Sequence, residues 1–171
     1  MAFWFLDHPS EEAEALARSI VDLKNGLMFC TLCNHLSDKE ICTICSDPAR
    51  DKTIVCVVED PKDVIAIEKA GSYKGRYHVL LGAINPGEGR GPEDLKIQHL
   101  LGRIDEGGIL EVIIATDPDN SGEMTALYLT KQLKPLNVKV SRIGLGIPMG
   151  SAVEFVDAST LSMSLSSRRE I

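Results

Sequence analysis

Residues 111–123, E-V-I-I-A-T-D-P-D-N-S-G-E, limit the fold more than any other stretch of the chain. Val112, Ile113, Ile114 and Ala115 form an apolar run without polar alternation. That is the pattern of a strand covered on both faces, as in a parallel sheet. Asp117 and Asp119 follow at its carboxyl end, Gly122 allows a tight turn, and residues 124–133 read as a helix with Glu123 in its first turn. Open α/β sheets bind ligands outside the carboxyl ends of their strands. Three carboxylates converging there would make an oxygen-rich site suited to Mg²⁺. Asp and Ser are also common turn and cap residues, so a purely structural role for Asp117, Asp119 and Ser121 stands beside the metal reading.

The surrounding pattern repeats the strand–helix alternation. Residues 53–58, T-I-V-C-V-V, are a second apolar strand ending in Glu59, after which Asp60 and Pro61 open a helix as N-cap and first position. Residues 77–81 read as a strand and 83–91, rich in Gly and Pro, as a loop. Pro92 then opens one helix covering Leu95, Ile97, Leu100 and Leu101. Pro135 breaks the helix after the acidic turn, and residues 138–143 give a fourth strand. The alternation predicts an α/β fold, a mostly parallel sheet flanked by helices.

Two Cys-x2-Cys pairs, Cys30/Cys33 and Cys42/Cys45, precede this region. Two such knuckles place four thiolates around one cation in a closed tetrahedral site, which is structural zinc. The metal would supply folding energy to a segment of roughly twenty residues, too small for its own core. Two disulfides are the rival reading, and a reducing compartment disfavours them. His35 lies between the knuckles and reads as a surface residue, and Cys56 as a buried hydrophobe.

The chain opens on Phe3, Trp4, Phe5 and Leu6, then a helix starting at Ser10 with Ala13, Leu16, Ala17, Ile20 and Leu23 on one face and Asn25-Gly26 at its end. The tail, residues 144–171, reads as a further strand and helix on the sheet or as an arm lent to a neighbouring subunit. The opening hexapeptide has no basic flank, so it does not read as a signal peptide, and the expected location is cytoplasmic. The net charge is −7 and only 5% of residues are aromatic. That balance argues against a free-standing basic DNA binder and against a stacking platform for single strands. Lys52, Lys62, Lys74, Arg76 and Arg90 are the candidate DNA contacts, and their scatter predicts weak, salt-sensitive binding.

Glu59 on one strand and D-x-D-x-x-x-E on another resemble the Toprim domain of topoisomerases, primases, some nucleases and RecR recombination mediators. The order of helix, four-cysteine module, Toprim-like domain and short tail is similar to RecR. So are the strings I-C-x-I-C-S-D-P-x-R, I-C-V-V-E, Y-K-G-x-Y-H-V-L, G-x-G-P-E-D-L, E-V-I-I-A-T and G-I-P-M-G. The resemblance implies a helical segment over 1–29, a four-cysteine zinc finger over 30–51, a Toprim domain over 52–143 and a Walker-B-like tail over 144–171, with Asp157 at the Walker-B aspartate. Family members normally begin with a helix-hairpin-helix, and residue 1 here aligns just after it, so the hairpin is expected to be missing. Ser121-Gly122-Glu123 replaces a usual E-G-E, Gly144-Leu145-Gly146 replaces A-H-G, and Ser151 replaces a glycine.

By this resemblance the chain is a non-enzymatic scaffold that works with RecO and RecF-type partners to place RecA on single-stranded DNA coated by SSB protein. Glu59, Asp117, Asp119 and Glu123 would form the docking face, and subunits would associate as a dimer through the Toprim and tail regions. Absence of any G-x-x-x-x-G-K-[ST] string argues against ATP hydrolysis. The alternative is a Mg²⁺-dependent Toprim nuclease or nicking enzyme using the same four acids.

Overall fold

Continuous apolar strands can only be buried by helices on both faces, and the chain solves this with one parallel sheet. The structure, a computed structural model, describes residues 7, 9–144 and 146–168. Strands β3 (Asp51–Val58), β4 (Gly75–Val79), β5 (Glu111–Ile114) and β6 (Lys139–Arg142) form a four-stranded sheet in the order β4-β3-β5-β6, every pair parallel. β3 begins two residues before its apolar run because Asp51 N–H donates to Lys74 C=O (2.9 Å). β4 ends at Val79 rather than Leu81, whose φ of 63° turns the chain away.

Pleating divides the strands between two cores. Val55, Val57, Val112 and Ile114 face one core, completed by Ile97, Leu100 and Ile104 of α4 (Ile97–Asp105) and Ala126, Leu129 and Leu133 of α5 (Asn120–Leu133). Cys56, Val58, Tyr77 and Val79 face the other, under Val64 and Ile67 of α3 (Pro61–Ala70) and Ile44 of the cysteine module. Asp60 and Pro61 open α3 as expected. Asp63 Oδ2 closes a capping box by accepting from Asp60 N–H (2.8 Å), and Gly71 ends the helix at φ 72°. The single helix expected from Pro92 is two pieces, a 3₁₀ turn at Pro92–Asp94 and then α4. The break falls where Lys96 N–H leaves the helical pattern to donate to Leu80 C=O (2.9 Å).

The cysteine module holds a two-residue antiparallel ribbon, β1 (Met28–Phe29) with β2 (Leu36–Ser37), and the one-turn helix α2 (Thr43–Ser46). It covers the exposed edge of β4. Val79 N–H donates to Cys33 C=O (2.8 Å), and Asn34 Nδ2 donates to Val79 C=O (3.1 Å). Both free backbone groups of Val79 are thereby satisfied as if by one residue of a further strand. Asn34 holds a left-handed φ of 61°, which Asn tolerates better than most residues. His99 Nδ1–H donates to Asn34 Oδ1 (3.2 Å), fixing the amide. Behind this seam, the Arg50 guanidinium donates twice to the Glu68 carboxylate, and Tyr77 Oη donates to Glu68 Oε1 (2.6 Å).

The helix α1 (Ser10–Gly26) has no buried residue, and Leu16, Ile20 and Leu23 are all exposed. The expected apolar face is present, and among the described residues nothing covers it. Its N-cap is Pro9, one residue before the expected Ser10, because Pro9 C=O already accepts from Glu12 N–H (3.1 Å). Phe3, Trp4, Phe5 and Leu6 lie outside the described residues. The tail contributes no strand among the described residues, only a 3₁₀ turn at Val153–Phe155 and α6 (Ala158–Ser166), with Met149 and Phe155 strongly exposed. No described helix is long and apolar enough to cross a membrane.

Replacing Asn34 with Ala leaves Val79 C=O without its side-chain donor and strains the left-handed backbone. A loss of about 2 kcal/mol is expected in urea unfolding of the zinc-bound chain, with a smaller loss for Asn34→Gly, which accepts the same φ.

Candidate functional site

The four cysteines meet as their spacing requires. Cys30, Cys33, Cys42 and Cys45 are all buried, and their sulfurs lie within 4.8 Å of one another. Cys33 Sγ and Cys42 Sγ are 3.6 Å apart. A tetrahedral zinc with Zn–S bonds of about 2.3 Å sets its sulfurs about 3.8 Å apart, so the cluster has the size the metal needs. None of the five cysteines is in a disulfide. The sulfurs also accept from the knuckle backbone, Cys30 Sγ from Cys42 N–H (3.3 Å) and Cys42 Sγ from Cys45 N–H (3.5 Å). Hydrogen bonds from Cys33 and Cys45 hold the Cys42 thiol far below its ordinary value, while the Cys33 and Cys45 thiols, packed on that charge and buried, are pushed up, a mutual repulsion that a bound cation would relieve. The donor set fits a structural Zn²⁺, with no coordination position left for substrate.

His35 is half-buried rather than at the surface, and its Nδ1 is buried without a hydrogen-bond partner. Its backbone explains the placement, since His35 C=O accepts from Cys30 N–H (2.8 Å) and holds the ring at the knuckle. Cys56 is buried as expected, and desolvation pushes its thiol up to about 12.

The acidic residues lie where the sheet's connections diverge. The chain leaves β3 towards β4 through α3, and leaves β5 towards β6 through α5, which packs on the opposite face. Glu59 at the end of β3 and Asp117 after β5 therefore flank a topological switch point. Glu59 is buried, and its Oε1 accepts from Asp117 N–H (3.0 Å). Asp119 is the N-cap of α5 and accepts from Gly122 N–H (2.8 Å). Gly122 owes its identity to crowding rather than to a turn. A Cβ there would lie 2.0 Å from Asp117 C=O and 2.8 Å from Glu59 Oε1. Thr116 Oγ1 donates to Gly122 C=O (2.9 Å), which locks the same loop.

Glu123 is held differently. Both its oxygens accept from the Arg142 guanidinium at 2.6 Å, a bidentate pair that ties α5 to the end of β6 and keeps the carboxyl below its usual range. The expected convergence of carboxylates is thus only partial. Among the described residues, the four cysteines are the one group of three or more Cys, His, Asp or Glu side chains close enough to share an ion. Asp117 and Asp119 remain exposed beside Glu59, and Asp63 joins them. Burial, then repulsion from Asp117, Asp119 and Asp63, raises the Glu59 carboxyl above its ordinary value despite the Asp117 N–H bond. Asp63 is raised in the same way, burial first. Sequence reasoning missed Asp63 and Arg142. A D-x-x-D capping box after a strand signals Asp63, whereas Arg142 is visible only once β6 is known to lie beside β5. Asp157, the Walker-B-like position, caps α6 by accepting from Thr160 N–H (2.9 Å) and Thr160 Oγ1 (2.7 Å).

A parallel α/β sheet with Glu59 and an Asp-x-Asp turn at its switch point, preceded by a four-cysteine knuckle, defines a zinc-bearing module of the Toprim class. Family models agree with that class. Residues 53–144, more than half of the chain, match the Toprim domain; residues 27–47 match the RecR four-cysteine zinc finger domain and residues 146–169 the RecR C-terminal region. The chain belongs to the RecR family of recombination mediators, which places it in DNA recombination and repair.

Two outcomes check this site. Chelation of the metal, one ion per chain by elemental analysis, should free the knuckle and raise hydrogen exchange at the Val79 amide before the central amides of β3. For Glu59 the folded pKa lies above the unfolded one. The stability this gives is full below the ordinary carboxylate value and is lost as pH rises through the folded pKa. Glu59→Gln keeps an oxygen acceptor for Asp117 N–H without the charge. It should therefore raise the thermal midpoint at pH 7, with the gain shrinking to nothing towards pH 4.

Proposed function

We propose that this chain is a non-enzymatic mediator scaffold whose acidic switch-point face docks a basic partner. In this reading it works with RecO and RecF-type proteins to load RecA on SSB-coated single-stranded DNA. The observation that carries the proposal is how the four acids are engaged. Glu59 is bound by a backbone N–H, Asp119 caps a helix and Glu123 is neutralised by Arg142, while Asp117 and Asp119 still present charge to solvent. Such a face offers complementary charge to a basic surface, which gives specificity and a fast encounter. The zinc finger at 30–51, the Toprim domain at 52–143 and the tail at 144–171 would act as one scaffold. Self-association as a dimer through the tail is supported by exposed Met149, Val153 and Phe155, and by an apolar cleft of about 420 Å³ between α5 and β6.

A second reading, Mg²⁺-dependent nuclease or nicking activity, is favoured by one observation. Glu59 and Asp63 are raised by burial and by neighbouring carboxylates, a repulsion that a divalent cation would relieve. The two readings separate in one set of proteins. Asp117→Asn combined with Asp119→Ser, which keeps an N-cap, should weaken binding of a RecO-type partner by on the order of tenfold at low salt, with a shallower salt dependence. Neither wild type nor Glu59→Gln should cut labelled gapped DNA with Mg²⁺ or Mn²⁺. Cleavage lost in Glu59→Gln would instead establish the enzyme.

A further inference from the structure

The opposite end of the sheet carries charge of the other sign. Lys52 is the second residue of β3, Arg76 the second of β4, and Arg103 lies in the last turn of α4. The three line one cleft of about 260 Å³, together with Glu106 and the Gly107–Gly108 turn that leads into β5. The candidate list from sequence held Lys52 and Arg76 as scattered cations and omitted Arg103; folding gathers all three.

These cations lack the partners that such crowding ordinarily demands. Among the described residues, no ion pair involves Lys52, Arg76 or Arg103, although Glu106 shares their cleft. Arg76 Nε is buried and has no hydrogen-bond acceptor. Native structures seldom leave such a donor unmatched, and one explanation is a missing ligand. Arg103 Nη1 donates only to neutral acceptors, Tyr77 C=O (2.9 Å) and His78 Nδ1 (3.1 Å). His78 is fully buried; burial, then the Arg103 charge, pushes it down to about 3, so it stays neutral and offers Arg103 no counter-charge. Burial lowers the Arg103 guanidinium below its ordinary value, and the cysteine cluster offsets this only in part and at longer range.

We propose that the Lys52–Arg76–Arg103 cleft binds a phosphate group. A guanidinium presents paired N–H donors that match two oxygens of a tetrahedral oxyanion, and an ammonium adds a compact charge to a third. The cleft has room for a phosphate and its ester substituents. Glu106 reduces the local charge to two, which one doubly charged phosphate monoester or two adjacent phosphodiesters of a backbone would neutralise. Gly107 (φ 87°) and Gly108 (φ 91°) carry no side chain, and a Cβ on either would meet nothing within 4 Å, so that wall stays open to an extended ligand. The site does not depend on the docking proposal, since it uses none of Glu59, Asp117, Asp119 and Glu123.

The test uses the whole zinc-bound chain and two phosphate sources. A fluorescein-labelled thymidine oligonucleotide is titrated by anisotropy at several salt concentrations, and inorganic phosphate by the shift of the Arg76 Nε–H resonance. Arg76→Gln and Lys52→Gln should each weaken oligonucleotide binding on the order of tenfold and lower the slope of log K against log salt by about 0.7 per lost contact. That result identifies the phosphate of a nucleic-acid backbone. Oligonucleotide binding equal in wild type and variants, with a saturable Arg76 shift on adding inorganic phosphate, supports the cleft with a small phosphate ester as its source. An Arg76 resonance unmoved by either probe overturns the proposal, and because it is read on the wild-type chain, misfolding of a variant cannot mask it.

Discussion

Everything in this molecule leans on the seam where the zinc knuckle finishes the edge of the sheet. A parallel sheet of four short strands has two open edges, and an open edge invites pairing with another chain. The β4 edge is closed by Cys33 C=O and the Asn34 amide, which give Val79 the hydrogen bonds of a fifth strand. Those groups hold position because their neighbours are tied to one metal. The module in turn lacks a core of its own and borrows the sheet through Ile44. Metal, knuckle and sheet are therefore one cooperative unit, and binding free energy at the cysteines is folding free energy for the edge.

The acidic turn illustrates the opposite economy, in which local stability is given up. Glu59 is buried beside other carboxylates, and the close approach of Gly122 leaves no space for the loop to relax away from it. Backbone N–H groups, a helix cap and the exposed Lys62 compensate in part, and Arg142 neutralises the outermost member, Glu123. A fold that needed nothing from this corner would fill it with apolar side chains. Perturbed carboxylates at a switch point are the feature on which the docking proposal rests.

Periodicity and turn chemistry made most of the architecture legible. The unalternated runs at Val55–Val58 and Val112–Ile114 marked strands covered on both sides, and Asp60-Pro61 marked the start of α3 to the residue. The cysteine spacing set the metal cluster without any long-range information. Features that failed to show were products of tertiary contact. The break before α4 exists because Lys96 N–H is claimed by Leu80, and nothing local to Pro92 announces it. Gly122 looked like a turn glycine, yet its role is to admit the Asp117 carbonyl. Arg142 and Arg103 are ordinary surface cations in sequence and acquire partners or neighbours only through strand order.

The arrangement of charge also has a kinetic meaning. Acids gather at the carboxyl ends of the strands, and Lys52, Arg76 and Arg103 gather near the amino-terminal ends, roughly 20 Å away at the rise of an extended chain. A net charge of −7 describes the total but conceals this separation. At these two clusters the domain sets opposite charge at the two ends of its strands, with Glu106 offsetting part of the basic one and Lys62 part of the acidic one. In the field of a strongly charged body it would turn before it touches, presenting one end to a polycation and the other to a polyanion. Torque of this kind shortens the orientational search that limits encounter rates, and it fades as salt shrinks the Debye length.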